Sequence, residues 1–372
     1  MHVLLDATAV PADRGGVGRY VDELVPELVR AGVQLTIACQ GRDGELFAEL
    51  APDAEVIVVG PHLERRLLRL VWEQVVLPRL IRRVRPDVVH SPHYTMPLAT
   101  RTPVVVTLHD ATFFTTPELH LRAKARFFRA WIRIAARRAA ALVTPSLATR
   151  DEVVRLVGAD AAKFYVAYHG VDHERFRPVS NPEAARVRAT LDIGDRDYVG
   201  FLGTLEPRKN VTALIRGWVR SCTGLDNPPA LVLAGGKGWD DALDAAIAAV
   251  PPHLVIRRPG YLPLGDLPGF LAGATVLAYP SRGEGFGLPV LEAMACGATV
   301  LTTRELSLPE VGGDAVAYCG TDDASIEAEL RALLNDAPRR AALAEAAIVR
   351  AQTFTWAAAA QAHLRAYEAA FS

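Results

Sequence analysis

Gly283-Glu284-Gly285-Phe286-Gly287-Leu288-Pro289-Val290-Leu291-Glu292-Ala293-Met294-Ala295-Cys296-Gly297 follows directly on the apolar run Val276 to Tyr279, an order that reads as buried strand, glycine loop and helix. Pro289 suits the first helical turn, where its missing N–H is no loss, and Gly297 suits the position just past the helix end. The glycines let the backbone approach a ligand closely, and the N–H groups around Leu288 to Leu291 predict an anion site at the helix N-terminus. A diphosphate fits there. Glu284 then stands on the loop and Glu292 roughly one turn into the helix, so the two carboxylates point to different parts of one ligand. Each accepts hydrogen bonds from hydroxyls, two from a vicinal diol, so one would hold a sugar and the other a ribose; on the spacing alone, a helix-start Glu and an unrelated surface Glu are the competing reading.

Outward from this segment, the chain repeats a strand-then-helix rhythm twice. Val3 to Leu5, Leu35 to Ala38, Val56 to Val59, Val88-Val89, Val104 to Leu108 and Ala141 to Thr144 form a first set of apolar runs. Tyr198 to Leu202, Ala230 to Leu233, Leu254 to Ile256, Val276 to Tyr279, Thr299 to Leu301 and Ala315 to Tyr318 form a second. Such alternation predicts an α/β protein with parallel sheets wrapped by helices, and 372 residues suffice for two such doubly wound domains. The turn signals between Asp172 and Pro182 place the boundary. The expected domains are residues 1–175 and 176–353. Residues 354–372 form a closing helix, with Trp356, Ala360, His363, Leu364, Tyr367 and Phe371 at helical spacing.

Half of the residues are hydrophobic, 22% are charged and the formal net charge is −1, with a mean hydropathy of +0.15. This balance argues against disorder and against a membrane-spanning bundle, and no nucleic-acid partner is expected from a near-neutral total. Cys39, Cys222, Cys296 and Cys319 stand singly, without a Cys-x-x-Cys pair. With no signal-peptide pattern at Met1 to Asp6, a reduced, cytoplasmic protein is expected. Two stretches are basic: one carries Arg65, Arg66, Arg69, Arg79, Arg82, Arg83 and Arg85, and the other, Leu119 to Arg150, has no acidic residue. Amphipathic basic helices suit an anionic lipid surface, which would place the protein peripherally at the inner face of a membrane, or a phosphate-bearing acceptor; a solvated helix face has the same composition.

The segment from Glu284 to Glu292 resembles the Glu-x7-Glu motif of the large retaining family 4 of glycosyltransferases. The resemblance implies the GT-B fold, two facing Rossmann-like domains with a C-terminal helix that crosses back to the first. It further implies that Glu284 contacts hydroxyls of the transferred sugar and Glu292 the nucleotide ribose, with Gly285, Phe286, Gly287, Leu288 and Val290 around the donor. Gly203-Thr204-Leu205-Glu206-Pro207-Arg208-Lys209-Asn210 follows the strand Tyr198 to Leu202. It resembles the family segment whose basic pair meets the donor diphosphate, which assigns Lys209, with Arg208 beside it, to the leaving phosphate. Thr204 stands where many relatives carry Arg. Gly15-Gly16-Val17-Gly18-Arg19-Tyr20 resembles the family loop that faces the donor from the first domain, with Gly16 as the contact and Arg19 reaching a phosphate or an acidic acceptor group. Gly260-Tyr261-Leu262 resembles the segment that meets the nucleotide base.

Val104-Val105-Val106-Thr107-Leu108-His109-Asp110 ends a strand in a His-Asp pair, and open parallel sheets place ligands at the carboxyl ends of their strands, so both side chains are expected at the cleft. The family's first-domain histidine occupies the position of His109, near the sugar's reacting face. His90 and His93 end another strand on the same side and, with Asp110 and Arg19, are the acceptor-side candidates; structural packing is the competing role for each. His169 stands where most relatives have Asn. The only Asp-x-Asp, Asp195-Arg196-Asp197, falls in a polar turn, so neither metal nor cofactor is expected.

The implied reaction is hexose transfer with retention from a nucleotide-diphosphate sugar to a glycan, lipid-linked or small-molecule acceptor, with His109, Lys209 and Glu284 as the catalytic set. The form of the Gly203 segment and the His109-Asp110 pair look like the mannosyltransferase-like branch, which favours GDP-mannose. A UDP-sugar is the competing donor, and a nucleotide-sugar 2-epimerase shares the architecture. A nicotinamide-dependent dehydrogenase would need an acidic residue after the second strand, which ends instead at Cys39-Gln40.

Overall fold

The structure, a computed structural model, describes residues 1–12, 14–60, 63–115 and 122–372. Of the basic stretch 119–150, residues 119–121 therefore lie outside the described residues. Strands β1 (His2–Asp6), β2 (Gln34–Gln40), β3 (Glu55–Val59), β4 (Val88–Ser91), β5 (Val104–Thr107), β6 (Ala141–Thr144) and β7 (Phe164–Val166) form a parallel sheet in the order β3-β2-β1-β4-β5-β6-β7. Between them run α1 (Gly15–Arg30), α2 (Gly44–Leu50), α3 (Arg66–Val75), α4 (Leu77–Val84), α5 (Thr112–Thr115), α6 (Arg122–Arg138) and α7 (Leu147–Val157).

After α8 (Asn181–Ala189), β8 (Tyr198–Leu202), β9 (Ala230–Ala234), β10 (Ile256–Gly260), β11 (Val276–Tyr279), β12 (Val300–Thr303) and β13 (Ala317–Cys319) form a second parallel sheet, ordered β10-β9-β8-β11-β12-β13. Its helices are α9 (Val211–Ser221), α10 (Leu243–Ala248), α11 (Leu267–Ala272), α12 (Leu288–Ala295), α13 (Leu308–Gly312), α14 (Asp323–Asn335) and α15 (Ala337–Ala351), and the chain closes with α16 (Trp356–Phe371). Both sheets are Rossmann-like, as the strand rhythm predicts. One unit comprises Met1–Gly170 with Thr355–Ser372, the other Val171–Phe354, so the chain passes between units at Gly170, ahead of the boundary expected after residue 175.

The central strands are buried runs of Val, Leu and Ala because helices cover both faces of a parallel sheet. Helix starts follow capping chemistry: Ser146 accepts from the Thr149 N–H, Asp322 from Ser325 and Thr355 from Ala358, each cap contributing about 1 kcal/mol. The first unit holds its last helix through a buried polar chain. The Tyr20 hydroxyl lies 2.7 Å from His363 Nε2 and 2.9 Å from Thr107 Oγ1, and Tyr367 on α16 reaches His90 Nδ1 at 2.8 Å. Two expectations need correction. The run Leu254 to Ile256 is only the approach to β10, whose body is Ile256–Gly260; an edge strand carries Arg257, Arg258 and Pro259 because one of its sides has no partner to pair. The glycine run from Gly15 to Gly18 forms the first turn of α1 instead of a loop before it, with the Gly18 N–H bonded to the Arg14 carbonyl at 2.6 Å.

Candidate active site

In both sheets the strand order reverses direction between the first and fourth strands, β1/β4 and β8/β11. Loops leaving the carboxyl ends of such a pair turn to opposite sides and leave a crevice, the place where open α/β sheets take ligands. In the second sheet these are the loops that carry Arg208-Lys209 and Gly283-Glu284. A short 3-10 turn, Pro207–Lys209, leads into Asn210, whose left-handed φ of 59° redirects the chain into α9. The Asn210 amide donates to the Thr321 carbonyl at 2.8 Å, and its oxygen accepts from Arg282 at 3.1 Å, which locks the β8 loop against its neighbours.

Glu284 is the hub of this crevice. One carboxylate oxygen accepts from Lys209 Nζ at 2.7 Å, Ser281 Oγ at 2.6 Å and the Tyr279 hydroxyl at 3.1 Å; the other meets Arg208 Nη1 at 2.6 Å. Arg208 also reaches Glu206 at 2.6 Å and the Gly283 carbonyl at 2.6 Å, and Lys209 donates to the Tyr279 hydroxyl. All of these side chains are largely buried. Burial alone would raise the Glu284 carboxyl, but Arg208 and Lys209 outweigh it and hold the group at about 2. Burial likewise draws the Lys209 ammonium below the ordinary lysine range despite the attraction of Glu284, and burial with the Glu284 charge pushes the Tyr279 phenol well up. The crevice therefore holds two basic side chains, Arg208 and Lys209, against the carboxylates of Glu284 and Glu206.

The loop onto α12 is held from behind. Ser307 Oγ lies 2.8 and 2.9 Å from the carbonyls of Glu284 and Phe286, which share its one proton, and Thr303 donates to the carbonyl of Ser281 at 2.6 Å. Gly287 caps α12 with φ 108°, and a Cβ there would stand 2.9 Å from Leu308 Cδ2, so glycine is required twice over. The amides of Val290 and Leu291 donate back to the Gly287 carbonyl at 3.0 and 3.2 Å. This amends the expected anion site: the helix closes its own hydrogen bonds from Val290 onward, so the amides of Val290 and Leu291 are engaged within it. Glu292 is buried one turn into α12. Leu288 is buried beside the cap, and Tyr261, 63% exposed, follows β10 with Leu262.

Four participants went unrecognised in the sequence. Tyr279, Ser281 and Glu206 flank the motif residues and complete the charge cluster, and Ser307 braces the loop. Gly235 and Gly238, after β9, lie so close to the β8 loop that a Cβ would fall 2.2 Å from the Gly203 carbonyl oxygen and 1.8 Å from that of Leu205. The Gly-Gly-Lys-Gly run at 235–238 directly after a buried strand was the available signal.

In the first unit, His109 follows β5 and its Nε2–H donates to the Pro92 carbonyl at 2.6 Å, the tautomer that leaves Nδ1 as the acceptor. Burial lowers its pKa against the pull of that carbonyl and of Asp110. Asp110 caps α5, accepting from the Thr112 N–H at 3.0 Å and hydroxyl at 2.7 Å. His93 packs against His109 and Phe128, and burial lowers its pKa well below the usual value. His90 does not line a pocket: it is fully buried, with one ring nitrogen on Thr107 and the other on Tyr367, because its strand lies in the middle of the sheet. His169 stacks on Trp356 at 5.5 Å between ring centres and lies 5.0 Å from Tyr20, a packing role for the residue that departs from the usual Asn. Gly16 is exposed and Arg19 half-buried on α1.

A family model described as Glycosyltransferase Family 4 matches residues 14–175, and one described as Glycosyl transferases group 1 matches residues 185–350. The chain is 29% identical to O-antigen chain mannosyltransferase B of Escherichia coli, covering 96% of each chain. It is 30% identical to GDP-mannose-dependent alpha-(1-6)-phosphatidylinositol monomannoside mannosyltransferase of Mycolicibacterium smegmatis, covering 91% of each. Among solved structures, the fold matches that of Anabaena HepE in complex with UDP-glucose, with a TM-score of 0.76 over 97% of each chain at 20% identity.

Proposed function

This chain belongs to the family 4 glycosyltransferases, and from that premise we propose that it transfers mannose from GDP-mannose to a hydroxyl acceptor with retention at the anomeric carbon and without a metal. The observation that carries the reading is the Arg208-Lys209-Glu284 cluster at the switch point of the second sheet. A nucleotide-diphosphate sugar brings two things such a cluster can use. Its phosphate oxygens are a stronger partner for Lys209 than a neutral hydroxyl, and its sugar hydroxyls replace the cations as donors to Glu284. Donor entry thus exchanges an internal ion pair for two ligand contacts. Support for mannose comes from two relatives that are mannosyltransferases by name, one of them GDP-mannose-dependent.

In the proposed reaction the bond from the anomeric carbon to the diphosphate oxygen breaks as the acceptor oxygen bonds to the same face of that carbon, and the acceptor proton passes to the departing phosphate. Lys209 stabilises charge as it grows on the leaving oxygen, Arg208 supports it, and Glu292 holds the ribose. Glu284 orients the hexose, and His109, just after β5 in the first unit, is the remaining member of the proposed catalytic set. The test is a thermal-shift panel of GDP-, UDP- and ADP-sugars on the wild type and Glu284→Ala, followed by NMR of the anomeric proton in the product. Stabilisation by GDP-mannose, lost in Glu284→Ala, with an α-linked product supports the reading. Stabilisation by UDP-sugars alone moves the donor assignment, and an isomerised free sugar with no acceptor product replaces transfer by epimerisation.

A further inference from the structure

Helices α3 and α4 turn unlike sides inward and outward. Inward, Trp72, Leu77, Leu80 and Ile81 join the buried cluster of the first sheet, and Arg69 closes on Glu73 at 2.7 Å, so this arginine of the basic stretch belongs to the interior. Outward, Leu67 is 77% exposed, Val71 58% and Val75 48%, at i, i+4 and i+8, which is one continuous stripe along α3. Leu68 and Val76, each 43% exposed, widen it. Single exposed apolar side chains are ordinary; a run of them on one face of one helix marks a surface that is covered in use.

The surroundings identify what covers it. Exposed arginines stand at both ends of the stripe, Arg65 and Arg66 before it and Arg79, Arg82 and Arg83 after it. Helix α6 packs over the same face of the sheet, since Ile132, Ala135 and Ala136 share the cluster with Trp72 and Ile81, and its exposed positions include Arg126, Arg133 and Arg137. A second copy of this chain would bring these like charges together. A bilayer with anionic headgroups offers the complement: acyl chains beneath a negative layer, for an apolar stripe bounded by guanidinium groups. Among the described residues no helix is long and apolar enough to cross a membrane, so the contact lies in the interface plane.

We propose that α3 seats this protein on an anionic bilayer, with Leu67, Val71 and Val75 among the acyl chains and the flanking arginines on headgroup phosphates. The proposal does not depend on the donor assignment. Its test is co-sedimentation of the full chain with phosphatidylglycerol/phosphatidylcholine vesicles and with pure phosphatidylcholine vesicles at low salt. The expected result is partition onto the anionic vesicles that falls at least tenfold on pure phosphatidylcholine and at least tenfold in Leu67→Glu/Val71→Glu. Both positions are exposed, and Leu67→Ser/Val71→Ser repeats the test without added charge, with an unchanged melting temperature as the folding control. Absence of partition onto anionic vesicles overturns the proposal, as does partition indifferent to both double variants. A dimer in light scattering that the same variants dissolve, without vesicle binding, overturns it in favour of a second copy.

Discussion

The Lys209 ammonium and the Glu284 carboxylate lie 2.7 Å apart across 75 residues of sequence, each on the loop that leaves one of the two strands flanking the reversal of the second sheet. Replacing one of them leaves the other charged and buried, so Glu284→Gln is expected to destabilise the fold by about 3–5 kcal/mol in urea unfolding. Lys209→Ala is expected to lower kcat by about 10²–10³-fold with intact donor, the size of one lost charge-stabilising donor in a transition state. Lys209→Arg restores part of this, because the charge returns on a wider, planar group. Steady-state kinetics with saturating acceptor separates the two variants.

Acid titration gives an independent reading of the same pair. Glu284 falls from an ordinary 4.5 to about 2 on folding, so its contribution to stability is fully present above pH 4.5 and is lost as pH falls towards 2. The linkage amounts to a few kcal/mol. Asp6 and Glu73, raised by burial, act in the opposite sense. The quantity to measure is therefore the difference in unfolding free energy between wild type and Glu284→Gln, which is expected to shrink between pH 4.5 and 2.

The first unit should weaken at milder acidity. His90, His93, His109, His169 and His363 are all lowered by burial, His363 to about 4. Unfolded histidines bind protons below about pH 6.5 that these buried rings refuse, so stability is present above that value and falls as pH drops from 6.5 towards 4. Circular-dichroism melts between pH 8 and 4 should show the melting temperature declining from about pH 6.5, with a shallower decline in His363→Phe.

Gly287→Ala is expected to lose about 1–3 kcal/mol from the left-handed backbone alone, with a further loss from the contact of its Cβ with Leu308. Leu308→Ala in the same chain relieves the contact and not the backbone, so the double variant should recover only part of the melting temperature. Donor-induced thermal shift should fall in both, since Gly287 shapes the loop that carries Glu284.

Under the proposed mechanism, transfer activity after exhaustive dialysis against EDTA is expected to stay within about twofold of the untreated enzyme, because Lys209 and Arg208 provide the positive charge at the leaving group. Activity that vanishes and returns with Mg²⁺ or Mn²⁺ would overturn metal independence.

What could be read from the sequence was local. Strand, glycine loop, Pro289 and Gly297 sit within a few residues of one another, and their order alone specifies the β11-α12 turn. The edge strand β10 was misplaced because arginines satisfy an unpaired edge, and three-residue β7 has too few side chains to show a period. Lys209 and Glu284 were each legible as ligand contacts, but their ion pair was not, because it follows from which strands become neighbours. Ser281 and Tyr279 were missed for the same reason, and His90 looked like a strand-end ligand until Tyr367, 277 residues away, took its second nitrogen.

The placement of α16 bears on how the molecule is made. The second unit is one continuous stretch, Val171–Phe354, whereas the first needs both Met1–Gly170 and Thr355–Ser372. Its Tyr20 and His90, both bonded to Thr107, take their second side-chain partners from His363 and Tyr367. During synthesis from the N-terminus, the half that leaves the ribosome first must wait for the last helix, while the half translated later can already be folded. The earliest residues of this chain are thus the last to reach their final packing, and truncation of the C-terminal eighteen residues would injure the opposite end of the sequence.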